Sequence, residues 1–221
     1  MIPPASRPAG AFHGDPLSCW SCKADVAEGT VFCPGCRKIQ PVGRNEDHFS
    51  IFGLERAYAL DLAGLARRFR ELSRQLHPDR FARAGPRERR LSLERATRLN
   101  DAYRALVDWR LRAGYLLKLA GTDVFAEGRT YADPDFLEEQ LEWREQLALA
   151  QADGDAGALR RIAEDAKERL RRLESEVARR FDDERWFSDL PVDIARRLSR
   201  ARYYENIVAD AERALAAAAH P

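Results

Sequence analysis

Apolar residues recur at three- and four-residue steps between positions 61 and 76, a spacing that predicts one amphipathic helix. Asp61 stands before the first of them and is a credible N-cap. Arg67, Arg70 and Arg74 fall on the opposite side of the helical wheel, so we expect a basic face in solvent. The apolar stripe consists of Leu62, Leu65, Phe69, Leu72 and Leu76.

A proline turn follows this helix. Pro78 disfavours helical geometry at His77 and lacks a backbone donor, so the helix should end there and the side chains of His77 and Asp79 should project from an exposed loop. Pro86 suits the first position of a second helix. The pattern therefore predicts an antiparallel helical hairpin tipped by His77-Pro78-Asp79. The apolar stripe of the second helix consists of Leu99, Ala102, Tyr103 and Leu106.

Three further helices are predicted after a linker at residues 121–131. They cover about residues 134–150, 155–180 and 191–219, with breaks at Asp153-Gly154 and at Asp189-Leu190-Pro191. The apolar residues of the middle helix alternate three- and four-residue steps, which is typical of helices packed nearly antiparallel. The buried stripe predicted for the last helix is Ile194, Leu198, Ala201, Val208 and Leu215.

Some apolar residues of this bundle do not fit the predicted core. Leu137 and Leu141 lie away from the face that carries Phe136, Trp143 and Leu147, and Glu142 and Glu145 stand beside them. Tyr203 falls opposite the stripe of the last helix, so its ring should be exposed or bound. The alternative is that both leucines pack inside the bundle and that Tyr203 is an ordinary half-exposed ring.

All four cysteines lie in two knuckles, Cys19-Trp20-Ser21-Cys22 and Cys33-Pro34-Gly35-Cys36. Two such knuckles complete a tetrahedral sulfur site suited to structural zinc. Iron uses the same ligands, and two disulfides or one redox pair are further interpretations that a cytosolic chain and the absence of a thioredoxin-like unit disfavour. So short a module buries little core, so its fold should depend on the ion, and the loop at 23–32 predicts a two-stranded ribbon.

Composition narrows the possible partners. Charged residues make up 33% of the 221 residues, but the net charge is +1, so no overall field attracts nucleic acid or an anionic membrane. No apolar run approaches the roughly 20 residues that span a bilayer. Residues 1–16 predict a disordered tail without a secretion signal, and we expect a cytoplasmic protein, or a mitochondrial one if the source is eukaryotic. No set of histidine, carboxylate and nucleophile points to an enzyme.

The hairpin resembles a J-domain, and the similarity is specific to the HscB-type J-proteins, the iron–sulfur-cluster co-chaperones. It implies a mainly α fold with a zinc ribbon at residues 17–44, a J-domain hairpin at 45–120 and a three-helix bundle at 132–221. Trp109 departs from the family, which commonly has proline there. The matching segments are His48-Phe49-Ser50-Ile51-Phe52-Gly53-Leu54, Leu76-His77-Pro78-Asp79-Arg80-Phe81, Leu99-Asn100-Asp101-Ala102-Tyr103 and Arg112-Ala113-Gly114-Tyr115-Leu116-Leu117.

The resemblance also implies partners. The turn His77-Pro78-Asp79 would stimulate the ATPase of a DnaK/HscA-type chaperone, which the basic face of Arg67, Arg70 and Arg74 would dock. The bundle would hold an IscU-type iron–sulfur scaffold protein. Glu138 replaces a common methionine, so the apolar patch is expected to be smaller, and tyrosine stands where phenylalanine is often found. The residues implied in scaffold binding are Leu137, Leu141, Glu142, Glu145 and Tyr203.

Two other functions are considered. A general J-protein would use the zinc module to grip unfolded clients, but the chain has no linker rich in Gly and Phe and no repeated knuckles beyond these two. A zinc-ribbon nucleic-acid binder would need a concentrated basic surface, and the module offers few basic residues. These are Lys23, Arg37, Lys38 and Arg44.

Overall fold

A computed structural model of the chain describes residues 17–27, 29–43, 45–126, 134–182 and 189–218. The predicted tail at residues 1–16 lies outside them. The chain divides into two compact units, residues 1–111 and 112–221. Seven α-helices, one short 3-10 helix and one two-stranded ribbon make up the regular structure of the described residues, which confirms the mainly α fold class.

The cysteine module is built from two similar turns. Strand β1 (Leu17–Ser18) pairs antiparallel with β2 (Asp25–Val26) around the first knuckle, and Phe32 bridges to Ile39 around the second. The ribbon predicted at 23–32 is therefore misplaced, because each knuckle is itself the turn between two paired segments. Lys23 and Arg37 close these turns with left-handed φ values of 65° and 59°.

The helical hairpin forms as its sequence predicts. Helix α1 (His48–Ile51) begins at a capping box, and α2 (Leu62–Leu76) begins at Asp61, whose carboxylate accepts a 2.9 Å hydrogen bond from the Gly64 amide. A 3-10 helix at Pro78–Phe81 separates α2 from α3 (Pro86–Val107), in which Pro86 takes the first position. Local capping and proline geometry are thus sufficient to fix the ends of these helices.

The hairpin core lies between α2 and α3. Leu65, Leu72 and Leu76 are buried, and each contributes on the order of 1.5–3 kcal/mol to stability. Phe69 stacks on Tyr103 with ring centroids 4.1 Å apart. Leu62 is the exception to the predicted stripe, since it is 42% exposed in the first turn of α2, at the end of the interface.

The bend after the hairpin is made by Asp108. This residue leaves the helical conformation and its carboxylate accepts hydrogen bonds from the Arg110 and Leu111 amides, at 2.8 and 3.2 Å. It thereby caps α4 (Trp109–Leu119). Trp109 takes the first position of α4, which is a position that favours proline but does not require it. The break between α3 and α4 is therefore kept although Trp109 replaces the proline that is common in the family.

The second unit contains the three predicted helices, α5 (Pro134–Ala152), α6 (Ala156–Asp182) and α7 (Leu190–Ala218), each within two residues of its predicted bounds. Helix α5 packs on both α6 and α7. The stripe of α7 was predicted with seven-residue steps, which drift by roughly 20° per heptad on a straight helix. Its second half consequently buries Tyr204, Ile207 and Ala211, whereas Val208 and Leu215 are only partly buried.

Candidate functional site

The four cysteine sulfurs form a compact cluster whose members all lie within 4.8 Å of one another. The Sγ atoms of Cys19 and Cys36 are 3.7 Å apart, and those of Cys22 and Cys33 are 3.6 Å apart. Four sulfurs at about 2.3 Å from a tetrahedral zinc ion stand roughly 3.8 Å from one another. The cluster therefore fits a tetrathiolate metal site, and these separations are far longer than a disulfide bond of about 2.0 Å.

The thiols have unequal acidity in the metal-free chain. Burial raises the pKa of Cys19, but hydrogen bonds from the amides of Cys22 and Ser21 and from neighbouring thiols outweigh it and bring that pKa to about 6. The Ala24 amide lowers the pKa of Cys22, but the other thiols and desolvation outweigh this and raise it to about 11. A cation that binds all four sulfurs must displace the remaining protons.

The predicted turn His77-Pro78-Asp79 lies at the exposed tip of the hairpin. The side chains of His77 and Asp79 are 58% and 90% exposed. The Asp79 amide donates to His77 Nδ1 at 3.3 Å, and the Asp79 carboxylate lies 3.5 Å from the same nitrogen. The turn therefore presents an imidazole and a carboxylate side by side to an approaching protein.

The basic face of α2 is exposed along its length. Arg67, Arg70 and Arg74 all lie in solvent, on the side of the helix away from the buried leucines. Arg67 approaches the Asp61 carboxylate at 3.5 Å, but a pair this exposed contributes little to stability. These side chains are thus available to an acidic partner.

An apolar row lies on the surface of α5. Leu137 and Leu141 are 59% and 60% exposed, and Glu142 and Glu145 beside them are exposed as well. The interpretation in which both leucines pack inside the bundle is therefore wrong. Sequence reasoning missed Leu149, which is 58% exposed and continues the row two turns after Leu141. The sequence signal that could have identified Leu149 is its position four residues after Glu145, because residues four apart are neighbours on the surface of a helix.

Tyr203 is held at the junction of α5 and α7. Its hydroxyl donates to the Gln140 carbonyl at 2.7 Å, and its ring meets Phe136 edge to face, with centroids 5.3 Å apart. Burial raises the pKa of its phenol. The next residue, Tyr204, was not singled out from the sequence; it is buried and donates to the Glu139 carboxylate at 2.6 Å.

The basic residues of the cysteine module that the structure describes do not form a concentrated surface. Lys38 is paired with Glu88 of α3 at 2.7 Å, and Arg44 lies outside the described residues. Lys23 and Arg37 are exposed, one on each knuckle. This arrangement gives no support to a nucleic-acid interface. Among the helices that the structure describes, none combines the length and the apolar character needed to cross a bilayer.

Comparisons with known proteins agree on one family. A family model described as the HSCB C-terminal oligomerisation domain matches residues 132–212. The chain is 45% identical over 133 residues to a co-chaperone protein HscB homolog of Bordetella pertussis, covering 60% of this chain and 78% of that protein. It is 48% identical over 115 residues to a homolog of Ralstonia nicotianae, covering 52% and 65%.

Two solved structures are similar along most of their length. Human co-chaperone protein HscB matches with a TM-score of 0.78 and 30% identity, over 89% of this chain and 97% of that one. Chaperone HscB from Vibrio cholerae matches with a TM-score of 0.65 and 30% identity, over 76% and 96%. Residues 45–221 are 177 of the 221, about 80%, so the human match reaches into the segment that holds the cysteines. The chain belongs to the HscB family of co-chaperones.

Proposed function

We propose that this co-chaperone binds an IscU-type iron–sulfur scaffold protein, delivers it to a DnaK/HscA-type chaperone and stimulates the chaperone ATPase during cluster transfer. The proposal also assigns zinc to the tetracysteine site. Family membership supports the general role. The partners are supported by two exposed surfaces, one in each compact unit of the chain.

The chaperone surface consists of the His77-Pro78-Asp79 turn and the basic face of α2. The Asp79 side chain is 90% exposed, so a partner can contact its carboxylate without any rearrangement of the fold. The three arginines supply local positive charge in a chain whose net charge is only +1. Local charge of this kind accelerates encounter with an acidic surface and makes the association sensitive to salt.

The scaffold surface is the apolar row of α5, and this row is the observation that carries the proposal. Leu137 and Leu141 are each about 60% exposed although the same helix buries Phe136 and Leu147. Neighbouring exposed leucines rimmed by carboxylates are typical of a binding surface rather than of a solvated helix face. Glu142 and Glu145 would favour a partner with basic residues around an apolar patch.

Zinc is proposed because the chemistry and spacing of the sulfurs fit it. Cys19, Cys22, Cys33 and Cys36 would close all four positions, which leaves no open position for catalysis and makes the ion structural. Elemental analysis of the purified chain should give one zinc per molecule. A coloured, iron-containing preparation from cells grown with both metals would contradict the assignment.

Two separate measurements test the partner assignments. We expect His77→Gln and Asp79→Asn to abolish ATPase stimulation while scaffold affinity, measured by calorimetry, stays unchanged. We expect Leu137→Ala with Leu141→Ala to do the reverse. Leu93→Ala is a matched control, because this leucine is 60% exposed on α3 and belongs to neither surface.

The assignment of one activity to each surface would be rejected if substitutions in a single surface abolished both ATPase stimulation and scaffold binding. The altered chain must keep its helical circular dichroism for this conclusion. Tight binding of denatured polypeptides with no preference for the folded scaffold would instead favour a general J-protein.

A further inference from the structure

A buried arginine attaches the cysteine module to α3. Arg95 Nε donates to the Gln40 carbonyl at 2.6 Å, and Nη2 donates to the Pro41 and Thr30 carbonyls at 2.7 and 3.2 Å. Its guanidinium also approaches the Glu46 carboxylate at 3.4 Å, and the two side chains are only 5% and 3% exposed. A buried cation needs such partners, so α3 depends on the position of these carbonyls.

Gln40 also contacts the metal site. Its buried side-chain amide donates to Cys19 Sγ at 3.4 Å and to the Lys38 carbonyl at 2.8 Å. A metal ion that binds Cys19 fixes the position of this sulfur, so the contact then holds the Gln40 side chain in place beside the metal site. One residue therefore joins a metal ligand, through its side chain, to Arg95, through its backbone.

The contacts of α3 also extend to the His77-Pro78-Asp79 turn, which we call the recognition turn. Ser92, one helical turn before Arg95 on α3, is fully buried, and its hydroxyl donates to the Leu76 carbonyl at 2.7 Å. Leu76 is the last residue of α2 and directly precedes His77. The last carbonyls of a helix lack hydrogen-bond partners within the helix, and the Ser92 hydroxyl supplies a partner for the carbonyl of Leu76. This hydrogen bond fixes the end of α2 and therefore the start of the turn.

We propose that metal binding at the tetracysteine site is thermodynamically coupled to the conformation of the His77-Pro78-Asp79 turn through Gln40, Arg95 and Ser92. With the metal bound, both knuckles are held and residues 30, 40 and 41 keep their carbonyls on Arg95. Without it those carbonyls are released and the guanidinium must seek water. The segment of α3 that anchors the end of α2 then loses its support.

Other contacts between the module and α3 favour the same coupling. Lys38 pairs with Glu88, and the Arg87 guanidinium lies over the Trp20 ring, 4.5 Å from its centroid. Both contacts are in the first turn of α3, which follows the recognition turn closely in the chain. The module is therefore attached at the end of the hairpin that carries the turn.

The module supports the hairpin without covering its basic face. An open cavity of about 480 Å³ separates residues 29–32 of the module from α2, where it is lined by Arg68, Leu72 and Gln75. These residues lie on a different side of the helical wheel from Arg67, Arg70 and Arg74. Coupling thus acts on the shape of the turn rather than by blocking the approach of a partner.

Hydrogen exchange on the full chain tests the coupling without any partner protein. Zinc-loaded chain is compared with chain stripped by a chelator and with stripped chain to which zinc is returned. We expect stripping to accelerate exchange of amides at residues 91–99 and 76–82 by about fivefold or more, the lower range of typical coupling, and zinc to reverse it. Unchanged exchange in both segments, while the knuckle amides exchange freely, would overturn the proposal.

Variants on α3 separate this coupling from general destabilisation. Arg95→Met should keep the methylene packing and make exchange at residues 91–99 insensitive to zinc. Arg90→Met is the matched control, since Arg90 is exposed on the same helix, and it should respond like the unaltered chain.

A second variant covers the case in which Arg95→Met does not fold. Ser92→Ala should retain the zinc response at 91–99 and lose it at 76–82. An equal response of both segments in Ser92→Ala would rule out the proposed path to the turn. Because no chaperone or scaffold is used, these outcomes are independent of the proposed partners, and they rest only on the proposed zinc site.

Discussion

The hydroxyl of Tyr203 on α7 donates to the backbone carbonyl of Gln140 on α5, at 2.7 Å. This bond ties the aromatic side chain to the helix that carries the exposed leucines. We expect Tyr203→Phe to keep the ring on Phe136 and therefore most of the scaffold affinity, while the lost hydrogen bond lowers the free energy of unfolding by about 1 kcal/mol. Urea unfolding and calorimetry measure the two quantities.

Tyr203→Ala is the informative contrast. Without the ring, scaffold affinity should fall at least about tenfold, as expected for an aromatic residue at the centre of an interface. Equal scaffold affinity for the alanine and phenylalanine variants would exclude the ring from the interface.

Leu149 should extend the scaffold surface beyond the residues that the family resemblance implies. It is 58% exposed on the row of four-residue steps that runs from Leu137 through Leu141, so Leu149→Ala should weaken scaffold binding and change stability by no more than about 0.5 kcal/mol. Leu147→Ala is the control in the same helix, because this leucine is buried and its truncation should cost about 2–5 kcal/mol. A Leu149→Ala chain that binds with unchanged affinity would place the edge of the surface before this residue.

Asp108 should make the bend between α3 and α4 sensitive to acid. Burial raises its pKa, but the hydrogen bonds from Arg110 and from the Leu111 amide outweigh this and hold the pKa below its ordinary value of 3.8. Because the folded pKa is the lower one, its stabilising effect is present above pH 3.8 and is lost as the pH falls through the folded value.

The variant Asp108→Asn isolates this effect. It should be less stable than the unaltered chain at neutral pH, and the difference should shrink as the solution is acidified below pH 3.8. Thermal unfolding across a pH series measures it. A difference that stays constant with pH would mean that the lost contribution is steric and not electrostatic.

Gly114 and Phe125 should be energetically coupled. A Cβ atom added to Gly114 would stand 2.0 Å from Cε2 of the Phe125 ring, so Gly114→Ala must displace that ring. The ring is 55% exposed and can swing into solvent, which limits the cost to its lost contact with α4. Phe125→Ala should therefore abolish most of the effect of Gly114→Ala in a double-mutant cycle. Additive effects of the two substitutions would contradict this contact.

Removal of the metal should unfold the cysteine module. In the described residues its buried apolar side chains are few, namely Cys19, Val26, Cys33 and Ile39, so apolar burial alone cannot hold it. A chelator should abolish the protection of the Lys23 and Arg37 amides, which donate to the Cys19 and Cys33 carbonyls. Nuclear magnetic resonance of these amides checks the expectation, and retained protection in metal-free chain would contradict it.

The helices could be predicted because their signals are local. Asp61 and Pro86 mark the start of α2 and α3, and the exposed pair Leu137 and Leu141 follows from the position of neighbouring apolar residues on one turn of helix. The role of Arg95 could not be predicted in this way. It is one of many arginines on an amphipathic helix, and its acceptors lie 54 to 65 residues earlier in the chain.

The extent of the exposed row on α5 could not be predicted from local sequence signals either. The wheel separates Leu137 and Leu141 from the buried side, but only the packed helices show how far the exposed row continues, to Leu149. On α7, the exact period of a long helix decided which residues are buried, and a strict seven-residue repeat gave Val208 instead of Ile207.

Lys23 and Arg37, which close the two knuckles, also affect the net charge of the metal site. A divalent ion held by four thiolates leaves a net charge of two negative units, and Lys23 and Arg37, each next in the chain to a ligand, return two positive units. The filled module is therefore close to neutral at the ion. It adds little to the local potential of the α2 arginines, so a hairpin with or without such a module would present a similar electrostatic surface to the chaperone proposed above.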